Sequence, residues 1–194
     1  MIGLTAAAAT CGAAPALPTL NLFELRRYKT QPGRRDDLIS MFEATFFDLY
    51  EAAGARILGT FRNMDDPDAW IWVRAFPDVA ARAPALEGFY NHAGWKALSG
   101  QANATIADIG DAQLLVRANG AAALTESVSQ RSGMIEWRRI FVRPGCEAAS
   151  ADLLLRELAP LLSGVGGRLL QVWRTDRTPN TYPRLPILED RKST

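Results

Sequence analysis

The chain has 194 residues, of which 48% are hydrophobic and 22% are charged, enough for one or two compact domains with a core. Its formal net charge is +1 and the basic residues are interspersed with acidic ones, so it lacks the basic patch of a nucleic-acid-binding protein. Two cysteines and a single histidine, His92, give no disulfide framework, no His-rich metal cluster and no Cys/His zinc site. We predict no nucleic-acid partner, no metal site and no cofactor.

Residues 1–20 form an Ala-rich leader without a charged side chain. A secretory signal needs a basic start, which is absent here, yet the segment after Leu4 resembles the apolar and cleavage regions of an export signal. Two interpretations stay open: a disordered tail on a cytoplasmic protein, or a truncated signal on a periplasmic or secreted one. Pro15 and Pro18 interrupt the tract, which is too short for a membrane span, and no other stretch approaches one.

The stretch from Phe23 to Gly33 predicts the first strand and the turn that follows it. Alternation places Phe23, Leu25 and Arg27 on one side of the strand and Glu24, Arg26 and Tyr28 on the other. Residues 34–53 then carry apolar side chains at helical spacing, and Gly54 stands where a helix end favours a left-handed residue.

Four further elements complete a first unit. Residues 56–61 predict a short strand, and residues 70–76 are apolar on both sides, as in a strand in the middle of a sheet and covered twice. Asp78 is a candidate N-cap for a helix that continues through Phe89, with a second short helical piece after it. Residues 105–117 end the unit as a strand. The order β-α-β-β-α-β predicts an α+β, ferredoxin-like unit with both helices on one face of an antiparallel sheet. The other face must be buried by something.

An internal duplication follows at a constant offset of 112 residues. Its eleven identities pair Glu24, Arg26, Arg27, Pro32, Gly33, Leu49, Gly54, Arg56, Leu58, Arg62 and Pro67 with Glu136, Arg138, Arg139, Pro144, Gly145, Leu161, Gly166, Arg168, Leu170, Arg174 and Pro179. These positions predict a complete unit over 22–118, a linker over 119–133 and a partial second unit over 134–194. The second copy begins with a strand from Ile135. Two prolines make residues 182–188 a better loop than a strand, and nothing remains for a last helix and strand.

Several stretches together resemble the NIPSNAP family, a branch of the dimeric α/β-barrel proteins. They are Phe23-Glu-Leu-Arg-Arg-Tyr28 with Pro32-Gly33, then Gly54-Ala-Arg-Ile-Leu-Gly-Thr-Phe61, Trp72-Val-Arg-Ala-Phe-Pro-Asp78, Ala81-Arg82, Ala85-Leu86, Phe89-Tyr90, Trp95-Lys96 and Leu114-Leu115. The resemblance covers residues 22 to about 117 and extends to the second unit through the repeat and Asn180-Thr-Tyr-Pro-Arg-Leu-Pro186. It implies a sheet whose bare face packs on a second sheet to form a barrel, usually across a homodimer.

The resemblance does not imply one reaction. Neighbours in the same barrel superfamily include cofactor-independent monooxygenases, haem-handling enzymes and cyclases, and fold cannot choose among them. A haem role would need an axial histidine, and His92 lies in an Asn-His-Ala-Gly loop typical of a solvated side chain. No residue is assigned as catalytic.

The candidate ligand site rests on one face of the first strand. If the helices cover the Phe23 and Leu25 face, the opposite side chains point into the barrel, where a Glu, two Arg and a ring of aromatics could hold a planar, oxygen-bearing ligand. The candidate ligand-binding residues are Glu24, Arg26, Tyr28, Trp72, Arg74, Tyr90 and Trp95. The alternative is that the Glu–Arg pairs are structural ion pairs that close a dimer.

Two functions therefore stay open. The first is a small-molecule-binding barrel for an aromatic or carboxylate-bearing compound, with a cofactor-independent monooxygenase- or cyclase-like activity as one form of it. The second is a non-catalytic interaction or scaffold protein. A connected cavity at Arg26 and Arg74 favours the first, whereas a filled core with every arginine in a salt bridge favours the second. Tyr28, Trp70, Trp72 and Phe76 would line a sheet face too apolar to leave in water. Either the two units of one chain pair incompletely or the first unit pairs with its counterpart in a second chain, and we predict the homodimer.

Overall fold

The computed structural model describes residues 19–119, 121 and 133–188. Its core is a five-stranded antiparallel sheet in the order β2-β3-β1-β4-β5. The strands are β1 (Leu22–Thr30), β2 (Arg56–Arg62), β3 (Ala69–Phe76), β4 (Ile106–Arg117) and β5 (Trp173–Thr175). The first four strands have the predicted ferredoxin-like order, and β3 lies inside the sheet between β2 and β1, as its two apolar sides predict.

The helices that follow β1 and β3 also match the predicted α+β pattern. The first helix comprises α1 (Arg35–Met41), a π-helical turn (Phe42–Phe46) and α2 (Phe47–Ala52). The second helical region comprises α3 (Val79–Asn91) and α4 (Ala93–Thr105). Asp78 caps α3 as predicted, because its carboxylate accepts a hydrogen bond of 2.8 Å from the backbone N–H of Ala81.

The barrel hypothesis required the helices to cover the Phe23 and Leu25 face of the sheet. In the structure they cover the opposite face. Tyr28 packs edge-on against Phe42 of the π-helical turn, and Arg82 of α3 bonds to Glu24. Glu24, Arg26 and Tyr28 therefore lie beneath the helices and do not point into a barrel. Alternation alone does not choose the face, because the Phe23 and Leu25 side of β1 is equally apolar. The helices pack on the side whose aromatic residues fill the space beneath them.

The position of the helices also changes the argument for a dimer. Tyr28, Trp70, Trp72 and Phe76 are buried in the core beneath the helices of their own chain, so they need no second subunit to cover them. The opposite face carries a separate buried cluster that includes Phe23, Leu25 and Val73. Trp173 of β5 packs on Phe23 with ring centroids 5.4 Å apart. The homodimer stays a prediction without this support.

A helix with the same interruption recurs at the offset of 112 residues. It comprises α5 (Glu147–Leu153), a π-helical turn (Leu154–Leu158) and α6 (Ala159–Gly164). Gly145 and Gly166, which flank it, have φ of 85° and 77°, while Gly33 and Gly54 around the first helix have φ of 72° and 98°. The repeated glycines therefore hold the same left-handed positions at both helix ends.

The rest of the second copy departs from the first. The predicted strand from Ile135 is wrong, because residues 134–143 form no regular element and are exposed. The physical reason is the lack of neighbours: β1 is flanked by β3 and β4, whereas the stretch that would supply the equivalent of β3, residues 182–188, is a loop, as its prolines predict. The stretch from Ile135 therefore lacks the second neighbour that β1 has, and its backbone pairs with no strand of the described sheet.

Two predictions fall largely on residues outside the described part of the chain. Of the leader only residues 19 and 20 are described, and of the predicted linker only residues 119, 121 and 133. Within the described residues, no helix has the length and apolar character needed to cross a membrane.

Candidate functional site

Strand pairing brings the predicted side chains of β1 and β3 together. Glu24 lies opposite Arg74, Arg26 opposite Trp72, and Tyr28 opposite Trp70. Opposed residues of an antiparallel pair project from the same face of a sheet. Five of the seven predicted site residues, namely Glu24, Arg26, Tyr28, Trp72 and Arg74, therefore share one surface beneath the helices.

A single carboxylate organises three guanidinium groups on that surface. Glu24 Oε1 accepts hydrogen bonds of 2.6 Å from Arg26 Nη1 and 2.6 Å from Arg74 Nη2. Glu24 Oε2 accepts a bond of 2.8 Å from Arg82 Nε. All four side chains have zero solvent exposure. We call these four residues the arginine cluster.

The arginine cluster has an excess of positive charge, since three guanidinium groups face one carboxylate. Burial raises the pKa of Glu24, but the charges of Arg74, Arg26 and Arg82 outweigh burial and hold that pKa well below its usual range. Burial lowers the pKa of the Arg74 guanidinium, but Glu24 and the neighbouring tyrosines raise it by more, so the net shift is upward. All three guanidinium groups stay charged, so the excess is not removed by proton loss.

The depressed pKa of Glu24 gives a stability contribution with a definite sign. A carboxyl whose pKa is lower in the folded state stabilises the fold above its unfolded pKa, and that contribution is lost as the pH falls toward the folded value. Starting from an ordinary value of 4.5, we expect the Glu24 carboxyl to stay ionised in the folded protein below pH 4.5. The carboxyl carbon shift of Glu24, followed by NMR, measures this. A titration midpoint at or above 4.5 would contradict the geometry.

Aromatic rings surround the arginine cluster. The guanidinium carbon of Arg74 lies 4.9 Å from the ring centre of Tyr50 and 5.2 Å from that of Trp72. That of Arg26 lies 5.4 Å from the ring centre of Tyr28. Such contacts stabilise a buried cation by roughly 0.5–2 kcal/mol each. The rings therefore offset part of the cost of keeping the excess charge out of water.

Two tyrosine hydroxyls lie together next to the arginine cluster. The hydroxyl oxygens of Tyr50 and Tyr90 are 3.4 Å apart. Burial raises the pKa of both hydroxyls. The neighbouring Tyr90 raises that of Tyr50 further, whereas the hydrogen bond to Tyr50 lowers that of Tyr90 by less than burial raises it. Both hydroxyls therefore stay protonated near neutral pH, so they can donate hydrogen bonds but are poor general bases.

Several donors in the arginine cluster have no hydrogen-bond partner among the described residues. They are Arg26 Nε, Arg74 Nε, Arg74 Nη1 and Arg82 Nη2. The indole N–H of Trp72 and the hydroxyl of Tyr182 are in the same condition. Buried donors left unpaired cost about 1–3 kcal/mol each, more when charged. An acceptor of negative charge would satisfy several of them at once.

The last two predicted residues lie farther from the charges. Tyr90 reaches the site through its hydroxyl contact with Tyr50. Trp95 packs edge-on against Tyr90, with ring centroids 5.2 Å apart, and against Phe46. Trp95 therefore packs behind Tyr90, and its described ring contacts are with aromatic residues.

Three residues of the site were not among the predicted ligand-binding set: Arg82, Tyr50 and Asn180. Arg82 Nη1 donates a hydrogen bond of 2.9 Å to Asn180 Oδ1, which comes from the second unit. The sequence carries one signal for Arg82, because it precedes Ala85, Leu86 and Phe89 at helical spacing and so lies on the buried face of α3. A charged residue on such a face needs a buried partner.

His92 behaves as the sequence predicts. It is exposed and caps α4, with Nδ1 accepting a bond of 3.0 Å from the backbone N–H of Gly94. Two surface cavities in the described residues lie away from the arginine cluster. One is next to Asn21 and Arg117, and the other is next to Asp152 and Arg174. By the criteria set from the sequence, both observations favour the scaffold: the three arginines of the cluster are in salt bridges, and neither cavity touches Arg26 or Arg74.

Comparison with known proteins gives the fold. No family model and no curated protein matches the chain. Among solved structures, a NIPSNAP-like domain protein from Burkholderia xenovorans is 14% identical with a TM-score of 0.50, over 57% of this chain and 96% of its own. A second NIPSNAP domain protein from that organism is 18% identical, with a TM-score of 0.47, over 51% of this chain and 96% of its own. A putative antibiotic biosynthesis monooxygenase from Chloroflexus aurantiacus is 16% identical with a TM-score of 0.39, over 53% and 97%.

These structures span about half of the chain. The strand order, the helices on one face and the similarity to the Burkholderia domain agree with the resemblance read from residues 22–117. The chain has the fold of the NIPSNAP-domain proteins.

Proposed function

We propose that this chain binds a small carboxylate-bearing molecule with an aromatic body at the arginine cluster, between the sheet and the helices. The observation that carries the proposal is the composition of the cluster: three buried guanidinium groups share one carboxylate and retain unpaired donors. A second carboxylate is the ligand group that matches both the excess charge and the fork geometry of arginine.

The rings of Trp72, Tyr50 and Tyr90, which we call the aromatic wall, support the choice of an aromatic ligand. Trp72 and Tyr50 lie against Arg74, and Tyr90 joins them through its hydroxyl. Aromatic rings next to a few convergent polar groups are typical of small-molecule sites. The raised pKa values of Tyr50 and Tyr90 favour hydrogen-bond donation over base catalysis, so the proposal is one of binding and assigns no reaction.

Benzoate and benzamide test the proposal, because they share a ring and differ in charge. We expect benzoate to bind the wild-type protein in isothermal titration calorimetry and benzamide to bind much more weakly. Arg74→Lys removes the unpaired Nε and Nη1 donors and should weaken benzoate binding roughly 10- to 100-fold, as expected for lost hydrogen bonds to a charged group.

The matched control is Arg138→Lys. Arg138 also bonds to a glutamate two residues before it, Glu136, but that pair is exposed. The substitution should leave benzoate binding unchanged. Equal binding of benzoate and benzamide, or equal affinity in wild type and Arg74→Lys, would contradict the proposal.

A second candidate function is a non-catalytic scaffold in which the arginine cluster only stabilises the fold. The zero exposure of all four side chains favours it, as does the position of the two surface cavities elsewhere. Under this alternative, no carboxylate tested would bind and Arg74→Lys would change only stability.

A further inference from the structure

A loop of the second unit lies over the arginine cluster. We call residues 176–188 the strap. Its ends are fixed to one strand: the backbone N–H of Asp176 bonds to the carbonyl of Leu114 at 2.8 Å, and that of Leu188 to the carbonyl of Ala112 at 2.6 Å. Between these bonds the strap packs on the first unit, where Tyr182 and Leu185 are buried in the main core. Both ends of the strap are therefore attached to β4, as in a compact surface loop whose ends lie close together.

Asn180 connects the strap to the arginine cluster. Its Oδ1 accepts hydrogen bonds of 2.9 Å from Arg82 Nη1 and 3.0 Å from the backbone N–H of Tyr182. Its Nδ2 donates a bond of 2.8 Å to the carbonyl of Leu185. The Asn180 side chain therefore shapes the strap and holds it on a fully buried charged group, to which the Thr181 hydroxyl also binds by accepting a longer bond of 3.4 Å from Arg82 Nη1.

Tyr182 joins the strap to the aromatic wall. Its ring stacks on Tyr90 at a centroid distance of 5.9 Å and an interplanar angle of 12°. Its hydroxyl is buried and has no hydrogen-bond partner among the described residues. A stacked tyrosine with an unused donor is typical of a ligand-pocket wall, whereas a purely structural core position is better filled by phenylalanine.

We propose that the strap is the lid of the ligand site: Asn180 holds it closed on Arg82, and Tyr182 forms a wall of the closed site. The inference rests on the proposed function for the identity of the ligand. The second unit thereby supplies recognition residues to a site built on the first unit. Arg82 Nη2 remains without a partner among the described residues while Nη1 holds Asn180, so Arg82 keeps one donor for a carboxylate when Asn180 is bound to it.

Tryptic cleavage after Arg184 measures opening of the lid, because Arg184 is exposed on the strap. We expect Asn180→Ala to speed cleavage of the Arg184–Leu185 bond about tenfold or more, since it removes all three bonds of the Asn180 side chain. The control Thr178→Ala lies on the same strap but bonds only within the turn at Asp176. It should leave the cleavage rate within about twofold. Equal rates in the two variants would contradict the role of Asn180 in holding the lid closed.

Benzoate tests the link to the site. A ligand that binds only the closed state should slow cleavage of the wild-type protein by about 1 + [L]/Kd, which is about 11-fold at ten times Kd. Benzoate that binds without slowing cleavage would overturn the lid. If benzoate does not bind, the proposed function fails. The comparison of Asn180→Ala with Thr178→Ala still decides whether Asn180 holds the lid closed.

Two further measurements separate a site role from a structural one. Tyr182→Phe keeps the stack on Tyr90 and removes a hydroxyl without a protein partner, so it should leave Tm unchanged and weaken benzoate binding severalfold. Unchanged affinity would remove Tyr182 from the site. Hydrogen exchange at the amides of Tyr182 and Leu185 reports lid opening in the wild-type chain without any substitution. Exchange there as slow as that of the β1 amides would contradict a lid that opens on its own.

Discussion

Replacing Glu24 by Gln is expected to lower the free energy of unfolding by about 3–5 kcal/mol, the cost of removing one partner from a buried charge group. The amide keeps the shape of the carboxyl but leaves three buried guanidinium groups without a counter-charge. A loss of this size is a large share of the roughly 5–15 kcal/mol that stabilises a typical domain. Urea unfolding followed by circular dichroism measures it.

The repeat supplies a matched control for this substitution. Glu136 occupies the corresponding position in the second unit and also bonds to an arginine two residues later, Arg138. That pair has side-chain exposures of 69% and 75%. Glu136→Gln should therefore change the free energy of unfolding by less than about 0.5 kcal/mol. Similar losses in the two variants would contradict the role of burial and of the three arginines at Glu24.

Replacing Trp72 by Ala is expected to cost about 3–5 kcal/mol, because it opens a large cavity in a core that cannot collapse to fill it. Trp72 has zero exposure, stacks on Trp70 at a centroid distance of 5.6 Å and lies over the guanidinium of Arg74. The loss should appear as a drop of roughly 6–20 °C in Tm for a chain of this size.

Trp137→Ala is the control for Trp72→Ala. Trp137 is 40% exposed in the second unit, and its described ring contact is with Trp173. We expect a loss below about 1.5 kcal/mol, since much of the ring is already in water. A loss at Trp137 equal to that at Trp72 would mean that the exposed stretch carries as much of the fold as the core beneath the helices.

Local periodicity predicted most of the first unit. The twofold alternation of a strand fixes which side chains share a face, so Glu24, Arg26 and Tyr28 were grouped correctly, as were Trp72 and Arg74. The same periodicity could not say which face the helices cover. Each side of β1 carries both apolar and charged residues, and both sides of β3 are largely apolar, so the choice depends on how α1–α4 fill space above the sheet.

The partners of Glu24 show where sequence reasoning stops. Arg26 is two residues away and follows from alternation, whereas Arg82 is 58 residues away on another element. Asn180 lies 98 residues beyond Arg82. Contacts of this kind depend on tertiary packing and leave only indirect signals, such as a charged residue on the apolar side of α3. The wrong strand from Ile135 has the same origin, because repeat identities do not supply the neighbouring strands that pairing requires.

A crystal structure of the protein with 4-bromobenzoate tests the central claim most directly, because the anomalous signal of bromine locates the ligand without reference to the fold. The account predicts a bromine peak between the sheet and α3, with the carboxylate within hydrogen-bond distance of Arg74 and Arg82 and the strap closed over it. Bromine found at saturating concentration only on the outer surface, with the arginine cluster unchanged, would contradict the account.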